Sequence, residues 1–291
     1  MNWLESVILG VVEGVTEFLP VSSTGHLTVT ERLLGLSIDS TDVTAFTAII
    51  QVGAILAAII YFWRDIVRLA VGWFKGVFRK DQRGTDYRLG WAVIVGSIPI
   101  GIVGLLLEPL ITGALRSLYV VAAALIGWSI VMWLADRKAD RLDRAAANVQ
   151  ASPTELGQSQ DNRPVGLRGE DSLTVLDGLI IGLTQCLALI PGVSRSGATI
   201  SAALFRGIDR TTATRWSFFL GIPALTASGI FQAISAFDEI SQGVGWAATA
   251  VATVVSLVVA FVSIAWLLKF VASNRFTVFI GYRIVIGVVI I

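Results

Sequence analysis

Residues 7–26 read VILGVVEGVTEFLPVSSTGH. The stretch starts as a membrane helix would, but Pro20 stops it and a run of small hydroxyl residues follows. It is too short to cross a bilayer core, which takes ~20 apolar residues. Irregular backbone at membrane depth is tolerated only where protein or a wet cavity satisfies its polar groups, so the spacing predicts a re-entrant helix pair that turns inside the bilayer. A second stretch with the same grammar, 178–193, leads into PGVSRSG at 191–197. It is read as a second re-entrant pair, and the two tips are predicted to meet.

The rest of the chain agrees that the solvent is lipid. Of 291 residues, 55% are hydrophobic and only 15% charged, which leaves too little polar surface to clothe a soluble globule. Uncharged runs at 43–62, 89–107, 117–135, 216–237 and 244–268 are each near or above spanning length. The closing run 276–291 contains Arg283, which can pair or snorkel within a bundle, and is taken as a sixth span. Sliding the sequence by 172 positions places Ile8 on Ile180, Gly10 on Gly182, Ser22 on Ser194, Gly25 on Gly197, Gly35 on Gly207 and Phe46 on Phe218. The predicted fold is therefore all-α and polytopic, with about six spans and two re-entrant pairs in two repeats, 1–135 and 173–291. An odd number of crossings per repeat inverts one against the other. Residues 64–88 carry seven basic against three acidic residues, whereas 31–42 and 238–243 are acidic. The positive-inside rule puts the first in the cytoplasm and the other two outside. The polar segment 136–172 becomes a cytoplasmic, partly disordered linker. The 22 basic residues are balanced by 21 acidic ones, which disfavours a nucleic-acid partner. One cysteine, Cys186, and one histidine exclude an internal disulfide and the usual zinc ligand set.

The chemistry concentrates at the two tips. Glu13 and Glu17, four apart, share a helix face before Pro20. Burying two neighbouring anions calls for a cation or a shared proton, and oxygen-only ligands suit Mg²⁺ or Ca²⁺ bridging carboxylates and substrate phosphates. A purely structural ion-pair network with Arg or Lys is the alternative. Ser22, Ser23, Thr24 and Gly25 follow, placed to cap a half-helix whose N–H groups bind phosphate. Ser23 or Ser22 is a candidate nucleophile; capping alone explains Ser22 and Thr24 equally well. His26 is the single histidine, a candidate proton shuttle or a packing residue. At the second tip, Arg195 between Ser194 and Ser196, followed by Gly197, offers forked donors to phosphoryl oxygens, or a salt bridge to Glu13 or Glu17. Arg206, Arg210 and Arg215 are read as positive-inside anchors. Gln51 and Gln185 are read as packing glue or cavity groups, and nothing in the sequence decides what Tyr282 and Arg283 do.

EGVTEFLPVSSTGH followed far downstream by PGVSRSGAT resembles the undecaprenyl-diphosphatase, or bacitracin-resistance, family of bacterial inner membranes, over nearly the whole chain. The resemblance implies hydrolysis of undecaprenyl diphosphate to undecaprenyl phosphate and inorganic phosphate, recycling the carrier for peptidoglycan and other envelope glycans. It also implies an active site open to the periplasm and a divalent cation. The family's metal-associated acids fall on Glu13 and Glu17, its histidine on His26, its motif serine on Ser23 and its phosphate-binding arginine on Arg195. The visible departure is the length of 136–171. Expected partners are the polyisoprenoid diphosphate and membrane lipids, and the reading allows a homodimer. A transporter or flippase of a lipid phosphate is the rival function, because paired re-entrant helices around a central anion site are also a carrier's architecture.

Overall fold

The computed structural model describes residues 1–38, 40–112, 115, 117–151, 166–235 and 237–291. Among them the regular structure is helical, apart from one isolated bridge between Arg168 and Ile208. Five helices are long and apolar enough to cross a membrane: α3 (Thr41–Tyr61), α5 (Thr85–Thr112), α6 (Leu118–Ala151), α9 (Arg210–Ser235) and α11 (Trp246–Val271). Helix α12 (Thr277–Ile290) is apolar but shorter, and the six-residue α10 (Phe237–Gln242) lies between α9 and α11.

Both interrupted stretches fold as short helix pairs. Helix α1 (Trp3–Thr16) turns through 17–22 into α2 (Ser23–Leu33). Helix α7 (Val175–Gln185) passes through a 3₁₀ turn, Cys186–Leu189, into α8 (Arg195–Phe205). The two pairs are built alike at positions 172 residues apart. Asn2 and Thr174 each close a capping box, with Glu5 and Asp177 as the third residue of the helix. Ser22 and Ser194 each cap the second helix at φ 76°, a left-handed conformation rare for a side-chain-bearing residue. Gly35 and Gly207 follow at φ 74° and 75°. Each first helix packs on a long helix of the other half. A Cβ added at Gly10 on α1 would stand 2.6 Å from the Ala252 carbonyl of α11. Its counterpart Gly182 on α7 lies against the backbone of Gly96 on α5. Close backbone approach of this kind binds helices where lipid supplies no hydrophobic drive between them.

Two charged segments are helical. The first part of the segment read as a linker, 136–151, continues α6. Asp136, Asp140 and Asp143 recur on one helix face and meet Arg210 at 2.8, 2.6 and 3.0 Å, and Arg275 adds a contact to Asp140 at 3.1 Å. That network orders a stretch whose composition alone reads as disordered. The remainder of the linker, 152–165, lies outside the described residues. The basic segment after α3 likewise folds, as α4 (Trp63–Phe78), a 3₁₀ turn Lys80–Gln82 and the start of α5. Its Arg68 pairs with Asp65, Asp86 and Glu170, so the charged end of the bundle is knitted rather than loose. Asp177 belongs to the same rim: burial pushes its carboxyl up, but hydrogen bonds from Arg168, Thr174 and Arg206 outweigh this and hold it well below the usual carboxylate range.

Candidate functional site

The two turns between the short helices meet in the interior. Ser196 Oγ donates to the Leu19 carbonyl across them at 3.0 Å. Arg283 on α12, fully buried, donates to Pro20 O at 3.2 Å and Gly192 O at 2.9 Å, one carbonyl from each tip, and to Leu125 O and Ser129 Oγ on α6. Pro20 and Gly192 are again 172 positions apart. One guanidinium therefore spans both turns and satisfies carbonyls that the broken helices leave without partners.

Glu17 is the centre of the polar cluster. It sits at the C-cap of α1 and is buried. Ser23 Oγ donates to its Oε2 at 2.6 Å, Gln51 Nε2 approaches the same oxygen at 3.3 Å, and Arg195 Nη2 lies 3.5 Å from Oε1. Arg195 is held by Ser217 O, which accepts from Nη1 at 3.0 Å, and by the Phe18 ring, 5.8 Å from Cζ. Its Nε and Nη2 have no hydrogen-bond partner among the described residues. A buried guanidinium with two unused donors beside a carboxylate is a poor structural ion pair and a good receptor for phosphoryl oxygens.

Glu13, one turn before Glu17, is buried and its Oε1 has no hydrogen-bond partner among the described residues. An orphaned buried carboxylate oxygen next to a second carboxylate fits a divalent cation. Among the described residues no three His, Cys, Asp or Glu side chains converge. The remaining ligands would come from water and from the substrate phosphates, as Mg²⁺ commonly arranges.

The other expected residues divide. Ser22 and Ser194 accept from Gly25 N and Gly197 N at 3.4 and 3.2 Å and serve as N-caps. The first two N–H groups of each helix, those of Ser23 and Thr24 on α2 and of Arg195 and Ser196 on α8, have no acceptor among the described residues, as helix ends leave them. Ser194 and Ser196 hydroxyls lie 3.1 Å apart. Thr24 is exposed, and its carbonyl accepts from Thr28 Oγ1. His26 does not reach Glu17 or Ser23 through any hydrogen bond among the described residues. Its Nδ1 lies 2.7 Å from Ser22 O and its Nε2 2.8 Å from the Tyr282 hydroxyl, with the two rings stacked at 5.4 Å. A carbonyl only accepts, so Nδ1 carries the proton, and in the neutral ring Nε2 accepts from Tyr282.

Sequence reasoning left Gln51 as packing glue or a cavity group, left Tyr282 and Arg283 undecided, and passed over Gly221. The first and third carried a signal, a lone amide and a lone cation within apolar runs. Gly221 carried none. A Cβ there would collide with the Arg195 guanidinium, so α9 supplies the room in which Arg195 lies. Gly221→Ala is expected to leave the protein folded and to lower turnover of the site's substrate about 10²-fold, the usual consequence of an ångström-scale misplacement. An unchanged rate in a folded Gly221→Ala protein would show that Arg195 has other room.

The fold and site together define an all-helical, polytopic membrane protein with a buried carboxylate, hydroxyl and guanidinium cluster at the meeting point of two broken helix pairs. Comparison with known proteins gives that class its particular form. The family described as "Bacitracin resistance protein BacA" matches residues 6–289. The undecaprenyl-diphosphatase of Cutibacterium acnes is 56% identical over 299 residues, covering 100% of this chain and 96% of that protein. Undecaprenyl-diphosphatase 3 of Frankia casuarinae is 52% identical, with 100% and 96% coverage, and an undecaprenyl-diphosphatase from a Mycobacterium species is 44% identical, again with 100% and 96% coverage. The chain belongs to the bacitracin resistance protein BacA family.

Proposed function

We propose that this chain hydrolyses undecaprenyl diphosphate to undecaprenyl phosphate and inorganic phosphate. The observation that carries the reading is the Ser23 hydroxyl donating to the buried Glu17 carboxylate, with the unfilled donors of Arg195 on the carboxylate's other oxygen. A binding site needs only the cation; a hydroxyl aligned on a base belongs to transfer chemistry.

In this mechanism the diphosphate enters between the tips, where Arg195 and the first-turn N–H groups of α2 and α8 bind its oxygens. Glu13 and Glu17 would hold Mg²⁺ or Ca²⁺, which supplies charge neutralisation at the phosphates. Glu17 takes the Ser23 proton as Oγ attacks the terminal phosphorus. The bond to the bridging oxygen breaks, undecaprenyl phosphate leaves, and water then releases phosphate from the serine. In the alternative route Glu17 deprotonates water directly, and Ser23 only binds. In both, the contact geometry favours Glu17 over His26 as the base, and His26 with Tyr282 orders the start of α2.

We further infer six spans, with α12 as the sixth, and two re-entrant pairs in an inverted repeat. Support comes from the matched caps and positive-φ residues and from the reciprocal packing of α1 on α11 and α7 on α5. The cationic end of the bundle, from Arg64 through Arg88, reads as cytoplasmic. Helix α2 runs from the tips toward 34–40, at the opposite end of α3 from that basic segment, which supports a site opening to the periplasm of a bacterial inner membrane.

The deciding experiment is phosphate release from undecaprenyl diphosphate by the purified protein, with Mg²⁺, with Ca²⁺ and after chelation. Cation-dependent release that falls about 10³-fold in Arg195→Ala, with the variant still folded, is expected. Absence of release by folded wild-type protein would turn the reading toward a lipid-phosphate carrier.

A further inference from the structure

Helix α4 is 16 residues long, about 24 Å, too short to cross a bilayer. It packs antiparallel against the start of α5. Gly72 and Gly76 admit the Asp86 and Tyr87 side chains, and Gly90 admits Trp73. The exposed face of α4 carries Trp63, Val67, Val71, Phe74 and Phe78 at spacings of 4, 4, 3 and 4. That is an unbroken apolar stripe on a helix that also carries Arg64, Arg68, Lys75 and, at its C-cap, Arg79. A helix of this pattern at the cationic end of a membrane bundle lies in the interface plane.

Where α4 meets the turn into α5 there is a cavity of about 500 Å³. Val67 and Val71 line it and also belong to the exposed stripe, so its apolar wall is continuous with the lipid-facing surface. Lys75, one turn after Val71 on the same helix, adds a charge to that wall, and Gln82, Thr85 and Asp171 supply further polar lining. Two further charges in the lining, Arg68 and Asp86, pair with each other at 3.5 Å, and Arg68 is also held by Asp65 and Glu170. The Lys75 side chain has no ion-pair or hydrogen-bond partner among the described residues, nor do the side chains of the neighbouring Arg64, Arg79 and Lys80. An occupant must therefore be amphiphilic, must bring a negative charge to Lys75, and must offer a hydroxyl or similar donor to the Asp171 carboxylate.

We propose that this cavity binds the headgroup of an anionic phospholipid of the phosphatidylglycerol type from the adjacent leaflet. The phosphodiester sits at Lys75, the headgroup hydroxyls reach Asp171, and an acyl chain lies on Val67 and Val71. The three surrounding unpaired cations favour an anionic lipid over a zwitterionic one. The site lies on the cationic rim, outside the Glu17 cluster, and does not depend on the proposed hydrolysis.

The test uses the full chain reconstituted in phosphatidylcholine vesicles, reading the association constant of spin-labelled phosphatidylglycerol relative to spin-labelled phosphatidylcholine. Wild type is expected to prefer phosphatidylglycerol. Lys75→Glu is expected to lose at least about fivefold of that preference, the effect of one cation near a charged lipid surface. Val71→Asp, which alters the lining without removing a cation, is expected to lose it too. Arg144→Glu makes the same charge change at an exposed position on α6 with no side-chain partner among the described residues and is expected to keep the preference. Equal binding by Lys75→Glu and wild type would overturn the proposal. So would an equal loss in Arg144→Glu, which would mean diffuse attraction, or displacement of the lipid by millimolar inorganic phosphate, which would mean a free-anion site.

Discussion

Replacing Glu17 by glutamine is expected to lower phosphate release from undecaprenyl diphosphate about 10³-fold while the protein stays folded. The amide is nearly isosteric, and its oxygen still accepts from Ser23, so the cap of α1 and the meeting of the tips survive. Two things are lost. The amide does not take a proton from Ser23 or from water, and it no longer balances Arg195, whose guanidinium lies 3.5 Å away. The comparison that sharpens the prediction is Ser23→Ala. If Oγ is the nucleophile, Ser23→Ala falls as far as Glu17→Gln, and labelled phosphate is trapped on the wild-type protein during turnover. If water attacks directly, Ser23→Ala retains most of its rate while Glu17→Gln does not, and no label is trapped. A fully active Glu17→Gln protein would remove the base from the mechanism altogether and reopen the carrier reading. The Gln51 contact to Oε2 is the weaker of the two hydrogen bonds to that oxygen and contributes orientation rather than charge.

How much of this was legible beforehand depended on whether the signal was local. The interruption of an apolar run by Pro20, and the recurrence of a Ser-Gly pattern 172 residues later, announced two helix pairs, with a cap legible among the hydroxyls after Pro20, because proline, glycine and hydroxyl side chains act on their own backbone. Glu17, Ser23 and Arg195 were nameable because charged and hydroxyl groups at membrane depth are costly without a task. What could not be read were the contacts made across the bundle. Nothing in the sequence says that the lone histidine faces Tyr282 rather than Ser23, that Gly221 clears space for a guanidinium 26 positions earlier, or that Asp136, Asp140 and Asp143 keep a helix going because Arg210 lies opposite. Those outcomes depend on which helices become neighbours. Composition therefore gave no sign that 136–151 is helical, because the stabilising partner is distant in sequence.

Arg283 is the strongest case of that kind, and its removal is expected to cost stability as well as activity. Its side chain is fully buried and donates to Pro20 O, Gly192 O, Leu125 O and Ser129 Oγ. Arg283→Ala strands four acceptors at the point where both helix pairs break, with no water of the bulk phase to replace the donors. Each buried acceptor left without its donor costs about 1–3 kcal/mol, so a loss on the order of 4 kcal/mol is expected. The thermal unfolding midpoint in detergent should fall on the order of 10 °C, taking 2–4 °C per kcal/mol for a chain near this size. Lysine retains the charge but concentrates it at one point, without the planar fork that reaches two tips together, so Arg283→Lys should recover part of the stability and little of the activity. That split is the informative outcome. Arg195 and Glu17 come from different tips, and their 3.5 Å separation is set by whatever fixes one turn against the other. If Arg283 is that fixture, Arg283→Lys lowers kcat in a protein that still unfolds cooperatively. If Arg283→Ala keeps both its midpoint and its rate, the tips are held by the Ser196 to Leu19 hydrogen bond and helix packing, and the buried cation has no positioning role.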